Sequence, residues 1–588
     1  MRCNRKARRL TEAALLLLAM ILFPVSTHSQ SKAADVEVAD AAIRKLSLLS
    51  ELQTLQARAK RLDKPLARAM AEAEIADGLW VLDLDAAKNL LREAYELTFP
   101  SEEIRAKLRK TPVGAQPKFP SQADWARSAV SRRVLQVAGR DRVFVAELVK
   151  SGTDQLGHYE THMEYASLAS EALTQGDKED AGHYIREAID ADPTQIGVLS
   201  AIGELAAKDR AAADIVILQY IQRLSQTSLS FTDGSVERSE YLLARLIFPS
   251  TNATAGQIPA PGPAVMKAYV TYELNSLAAL GQQYPSSLTS SRILLLLIYP
   301  LLKQYAPELT QQFLDLEQRT RKPGENFSLP SAKSLEGDTR ASYDKRIKQE
   351  LEQKQPDENV IRSAISHGDF SKARKMIDKW DDGPRKTQLN EMVDAEQAIG
   401  LANNGDISGA RELAERLSKA TSILRVFPVI AGKCVAKKDD TCARDLVDQA
   451  IKQLKRADAT PDAPPPGIPA SIIGTKREFD PILASLGSLA SAVVSAKDEL
   501  ALDVLDEVVI AANHSELDTG QGRTGFETSL LKKLAEKNEA RVNLAAMQLQ
   551  DPLRQIVALA AIDQWKSDKL VAEAKRRSTV NESAVKKN

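Results

Sequence analysis

The sequence predicts an all-α protein made of irregular antiparallel helical hairpins, an α-solenoid in two halves. Three observations carry this. Outside the loops, nearly every segment spaces Ala, Leu, Ile and Val at helical intervals with polar residues between them. Strand patterning is almost absent. The nearest run, Val504 to Ile510, sits inside the helical pattern DELALDVLDEVVIAA, and aromatics make up only 5% of the chain. Finally, one turn recurs: an apolar helix, a short turn ending in Asp, and a small or apolar residue four positions later.

In chain order the unit occurs at Asp83 with Ala87, Asp141 with Val145, Asp177 with Ala181, and Asp209 with Ala213. A second series follows at Asp369 with Ala373, Asp406 with Ala410, Asp439 with Ala443, and Asp498 with Leu502. Steps of 36, 32, 37 and 33 residues approach the period of two-helix repeats, while the steps of 58 and 59 do not. The chemistry of the turn explains the pattern. Gly176, Gly368 and Gly405 suit the left-handed residue that ends a helix. The following Asp can accept backbone N–H bonds at the start of the next helix. The small residue one turn on lets the partner helix approach closely. Residues 166–193, with A-x-x-ALTQGDKEDA followed by AI-x-x-DP, resemble the second half of a tetratricopeptide-class helical repeat. That resemblance implies stacked hairpins with a concave binding face.

The boundaries are compositional. Residues 35–320 read as an N-terminal helical half and 358–588 as a C-terminal half, with 321–357 as an exposed linker. The C-terminal half contains a Pro-rich connector at 460–471 (TPDAPPPGIPAS). Thr251–Pro263 is a Pro/Gly loop and Thr519–Phe526 a Gly-rich one. Ile293–Leu302 (ILLLLIYPLL) is too short to span a bilayer, contains Pro300, and reads as a buried helix.

Residues 1–29 read as a signal peptide. Arg2, Arg5, Lys6, Arg8 and Arg9 precede an apolar run from Ala13 to Val25, whose length of about 20 Å falls short of a hydrocarbon core of roughly 30 Å. Thr27-His28-Ser29 offers a cleavage site and Ser31-Lys32-Ala33 a second; an uncleaved anchor is the alternative. The chain is then exported, to a periplasm or beyond. All 588 residues carry 79 basic and 79 acidic side chains, so the formal charge is zero. Removing the leader takes five basic residues and one acidic residue, leaving about −4. Neither value provides the cationic surface a nucleic-acid partner requires.

Without Cys3, the chain keeps Cys434 and Cys442. They flank Lys437-Lys438-Asp439-Asp440, which reads as a hairpin turn, and a disulfide across that turn is expected in an oxidising compartment. No metal site is assigned. His158 and His162 stand four apart on one helix, but His183 falls about 12 Å out of step along the partner helix. Gly520, Gly522 and Gly525 spell the dinucleotide fingerprint without the strand it needs, so they read as a flexible loop between helices. Asp381-Asp382 and Asp439-Asp440 read as capping groups. No catalytic residue and no cofactor is assigned. The expectation is an exported binding or scaffold module for a protein or peptide partner. A glycan-active envelope enzyme with a helical active site, or a purely structural envelope component, are the alternatives.

Overall fold

The computed structural model describes residues 29–109, 122–156, 158–191, 196–226, 243, 247, 259–283, 292–320, 347–353, 356–457, 480–496 and 499–585. Among them every regular element is helical and none is a strand. The N-terminal half contains α1 (Ser29–Ala59), α2 (Pro65–Leu79), α3 (Leu84–Leu97), α4 (Glu102–Arg109), α5 (Gln122–Ala138), α6 (Arg142–Leu156), α7 (His158–Gln175), α8 (Lys178–Ala191), α9 (Ile196–Lys208), α10 (Arg210–Gln226), α11 (Pro263–Gln283), α12 (Arg292–Tyr305) and α13 (Thr310–Thr320). The C-terminal half contains α14 (Glu358–Ser366), α15 (Phe370–Ile377), α16 (Pro384–Asn403), α17 (Ile407–Ala414), α18 (Ala420–Ala436), α19 (Asp440–Leu454), α20 (Pro481–Val493), α21 (Leu500–His514), α22 (Thr528–Met547) and α23 (Pro552–Val585).

Neighbouring helices pair as hairpins: α2 with α3, α7 with α8, α9 with α10, α14 with α15, and onward through α22 with α23. First helices then stack on first helices, as α5 on α7 on α9, and α16 on α18 on α20. This is the two-layer construction of a helical solenoid. The protein is therefore an all-α repeat structure, as its turn chemistry requires.

The turns form as the sequence dictates. Gly176, Gly368 and Gly405 have φ of 86°, 75° and 90°, and the next residue's N–H returns to a carbonyl five positions back, as from Asp177 to Ala172 at 2.8 Å. Six of the recurring Asp side chains cap the next helix. Asp83 accepts from Ala86, Asp141 from Phe144, Asp177 from Asp180, Asp209 from Ala212, Asp406 from Gly409, and Asp439 from Cys442, at 2.9–3.1 Å. Asp369 occupies the same position without a side-chain cap bond, its carboxylate lying 3.4 Å from Lys372 Nζ, and Asp498 lies outside the described residues. All eight partner positions, from Ala87 to Leu502, are fully buried. Val504 to Ile510 is helical within α21, with Val504, Leu505, Val508 and Val509 buried. Ile293 to Leu302 likewise forms part of α12, which continues through Pro300.

The first and last described helices meet. The last helix, α23, packs against α1 and α2 as well as α22. Its Leu553, Ile556, Val557 and Ala560 belong to the N-terminal core, whereas Ala558, Ala561 and Ile562 belong to the C-terminal one. Residues 1–28 of the expected leader (1–29) and the expected connector at 460–471 lie outside the described residues, as does most of the expected linker. The described part of that linker is helical at 347–352, and Ile347 enters the small core of α14, α15 and α16. No helix among the described residues is long and apolar enough to cross a membrane.

Candidate functional site

Where the two halves touch, an open cleft of about 580 Å³ separates them. A volume of this size lies within the range of small-ligand and peptide sites. One wall belongs to the N-terminal half, through Met70 of α2 and Ala129 of α5. The opposite wall is the face of α20 that presents Ala484, Gly487, Ser488 and Ser491, residues spaced three and four apart. Small side chains there leave the helix backbone close to the space, and the two serines are exposed to it. The floor is the segment from Leu517 to Glu527, contributing Arg523, Thr524 and Phe526.

That floor is the Gly-rich loop, and the structure gives it a fixed form. Asp518 caps a single 3-10 turn at Thr519–Gln521 by accepting from the Gly520 N–H at 3.0 Å, and Thr519 Oγ1 donates to Asp551 at 2.8 Å. Gly522 has φ 73°, and a Cβ built there would lie 2.5 Å from Val130 Cγ2 and 2.9 Å from the Leu66 carbonyl oxygen. Gly525, with φ 84°, is equally close to Leu483. Gly522 lets the C-terminal half's backbone press onto α2 and α5, while Gly525 lets the loop close onto Leu483 of α20. They serve docking, and the sequence expectation of a flexible loop gives way to an anchored one. The helix that follows is α22, preceded by no strand.

Arg554 secures the loop from behind. It is almost fully buried and donates from Nε to the Thr524 carbonyl at 3.0 Å and from its terminal nitrogen to the Ala512 carbonyl. Burial pulls this guanidinium below its ordinary pKa, against the pull of Asp551 and Asp480. Asp480, at the cleft's edge, spends a carboxylate oxygen on the N–H groups of Ile482 and Leu483, both at 3.0 Å. It acts as a helix cap, not as a free acid.

Two charge clusters flank α23 and tie the halves together. In the first, Asp77 of α2 is paired with Arg133 of α5 (2.7 Å), with Arg140 in the turn after α5, and with Lys532 of α22 (3.4 Å). Burial pushes Asp77 upward, but Arg133, Lys532 and Arg140 outweigh it and hold the carboxyl below its usual range. Arg133 also forks onto Glu74 at 2.6 and 2.9 Å. In the second cluster, Lys566 of α23 lies 3.0 Å from Glu51 of α1, 3.0 Å from Asp563 and 3.8 Å from Glu539 of α22. Glu51, Glu539 and Lys566, with Arg44 and Lys569, edge a groove of about 270 Å³ with Trp565 at its side.

The other sequence candidates are placed as follows. Cys434, at the end of α18, and Cys442, in the first turn of α19, are disulfide-paired with Cα atoms 5.8 Å apart. The hairpin turn between them places Lys438 at φ 59°, where three other repeats use Gly176, Gly368 and Gly405. His158 and His162 lie on α7, with side chains outside those described; His183 is half-buried on α8 against Tyr184. No group of three metal-ligating side chains occurs among the described residues.

The sequence matches no known protein family and no curated protein. Among solved structures it is similar to one described as a circular tandem repeat protein with novel repeat topology and enhanced subunit contact surfaces. The match has 13% identity and covers 91% of this chain and all of that one, with a TM-score of 0.12.

Sequence reasoning did not find Met70, Ala129, Arg554 or the flanking charge clusters. The one available signal was the glycine pattern of 520–525, whose letters suggested a nucleotide loop while its spacing serves a backbone contact.

Proposed function

We propose that this chain is an exported helical-repeat module that seats a protein or peptide partner in the cleft between its two halves. One observation carries the reading: the cleft wall on α20 is made of Ala484, Gly487, Ser488 and Ser491, next to an anchored loop. Such a wall gives an extended chain access to close van der Waals contact and to hydroxyl hydrogen bonds. Met70, Leu517 and Phe526 supply apolar area for side chains. Export, with cleavage after residue 29, belongs to the same proposal and agrees with a disulfide-paired hairpin.

A glycan-active reading would start from the carboxyl pair Glu51 and Asp563. Asp563 is 4% exposed and lies behind Lys566, so a glycosidic oxygen has no path to it, which favours the binding reading. The test is crosslinking capture of the chain from its native envelope, repeated with Ser488→Trp and Ser491→Arg. Loss of a specific crosslinked partner in both variants, with helicity retained, supports the proposal. Equal capture by both variants overturns the cleft as the seat. Capture of glycan with no protein partner overturns the function.

A further inference from the structure

The two bonded cysteines are not equivalent. Cys434 is 1% exposed and belongs to the core of the C-terminal half, whereas Cys442 is half-buried and packs against the edge of that core. Their helices place them at opposite poles. Cys434 lies in the last turn of α18, where the helix dipole opposes a negative sulfur, and Cys442 in the first turn of α19, where it supports one. Side-chain charge in the turn is mixed and does not separate them. Lys433, Lys437 and Lys438 stand against Asp439 and Asp440, with Lys437 donating to the Gly405 carbonyl and Asp439 accepting from the Cys442 N–H.

The turn between them differs from its counterparts. Lys438, at φ 59°, is the one residue other than glycine with a positive φ among the described residues. An L-residue holds that conformation only where its surroundings impose it. The Lys438 N–H returns to the Val435 carbonyl at 2.9 Å and the Asp439 N–H to the Cys434 carbonyl at 3.0 Å, and the disulfide closes the loop around them. At Gly176, Gly368 and Gly405 the left-handed residue is a glycine and no covalent bond spans the turn.

We propose that Cys442 is a site of covalent modification by low-molecular-weight thiols, and that full reduction of its bond releases the left-handed turn at Lys438. The thiolate attacks Cys442 Sγ, because Cys434 Sγ is enclosed by the core. A new S–S bond joins that thiol to Cys442, the Cys434–Cys442 bond breaks, and its electron pair leaves on Cys434, which takes a proton from solvent. A second thiolate attacks the outer sulfur of the mixed disulfide and expels Cys442 as a thiolate. The cysteine pair is reduced by two electrons, and two thiols are oxidised to one disulfide.

In the first step access decides the sulfur attacked, although expelling Cys434 puts charge in a buried last turn. In the reduced chain both factors coincide: Cys442 is the reachable sulfur and the one whose thiolate its helix supports. Without the bond, Lys438 is held left-handed by backbone hydrogen bonds alone, and the turn opens more often.

Two measurements on the whole chain test this. The oxidised chain is incubated with reduced glutathione, quenched in acid and mapped by mass spectrometry, and the fully reduced chain is pulse-labelled with iodoacetamide. Adduct and label are expected on Cys442 about tenfold ahead of Cys434, with the preference lost in urea. Equal modification of both, a preference for Cys434, or no adduct on the folded chain overturns the site. The glutathione mapping starts from the oxidised chain, so it stands even where full reduction costs the fold. Hydrogen–deuterium exchange of peptides spanning 433–442 then compares oxidised and reduced chain. Reduction is expected to raise exchange there about tenfold in the parent and much less in Lys438→Gly, where the left-handed conformation needs no imposing. No rise in the parent, or an equal rise in both, overturns the release of the turn.

Discussion

Replacing Gly522 with alanine tests whether the loop at 519–526 docks the two halves. Gly522 sits at φ 73°, and the left-handed conformation costs an L-residue roughly 1–2 kcal/mol. The new methyl would also meet Val130 Cγ2 at 2.5 Å and the Leu66 carbonyl oxygen at 2.9 Å. Neither can yield cheaply, because Val130 is buried in α5 and the second obstacle is backbone in α2. Overpacking of this kind adds about 1–3 kcal/mol. Gly176→Ala is the matched control: its φ is 86°, yet nothing lies within 4 Å of the added Cβ, and it loads the same N-terminal core. Urea unfolding followed by far-UV circular dichroism should show Gly522→Ala destabilised by about 1–3 kcal/mol more than Gly176→Ala, the contact contribution alone. Hydrogen exchange should place the added loss in α2 and α5. If the two variants lose equal stability, the loop does not press on α2 and α5 and the docking argument fails.

Three further outcomes follow from other contacts. Asp406→Ala removes a cap that accepts from Gly409 at 2.9 Å and should cost about 0.5–2 kcal/mol in thermal or urea unfolding, whereas Asp369→Ala, whose side chain makes no cap bond, should cost distinctly less. Equal losses would show that the cap bond is not what the aspartate contributes. Reducing the Cys434–Cys442 pair, or replacing both with serine, should lower stability by about 2–3 kcal/mol for a loop this short, read as a shift in urea midpoint between oxidised and reduced chain; an unmoved midpoint would exclude the bond in the folded protein. Removing 552–588 should abolish cooperative unfolding of both cores, read by near-UV dichroism and hydrogen exchange, and a truncated chain with either core intact would contradict the packing of α23.

The hairpins were legible because everything that makes them is local. A glycine that turns left, an aspartate that caps three residues ahead and a small residue one turn further lie within six or seven positions of one another. Helical periodicity likewise settled Val504 to Ile510, where β-branched composition alone would have suggested a strand. The cleft and the charge clusters were not legible, for an equally physical reason. Lys532 reaches Asp77 across 455 residues, and Lys566 reaches Glu51 across 515. No periodicity in either segment encodes that partner. The glycines of 520–525 read as a flexible loop, and only the stacking of distant hairpins sets Gly522 against Val130 and Leu66 and brings Asp551 and Arg554 to the same loop.

That stacking also alters what the two halves mean. On α23 the residues facing the N-terminal core are Leu553, Ile556, Val557 and Ala560, and those facing the C-terminal core are Ala558, Ala561 and Ile562. The second stripe is the first advanced by one or two positions, about 100–200° around the helix, so α23 is apolar on most of its circumference. A surface helix would leave one of those stripes in water; here each is covered by a different half. Burying a side chain such as Leu553, Ile556, Val557 or Ile562 contributes about 1.5–3 kcal/mol, so these four together approach the whole stability of an ordinary domain, about 5–15 kcal/mol. Neither core is complete without a helix made last in the chain, and α1, the first described helix, has its buried Leu48, Leu52 and Leu55 in the same core as that helix. The cleft therefore lies between walls that are coupled through α23.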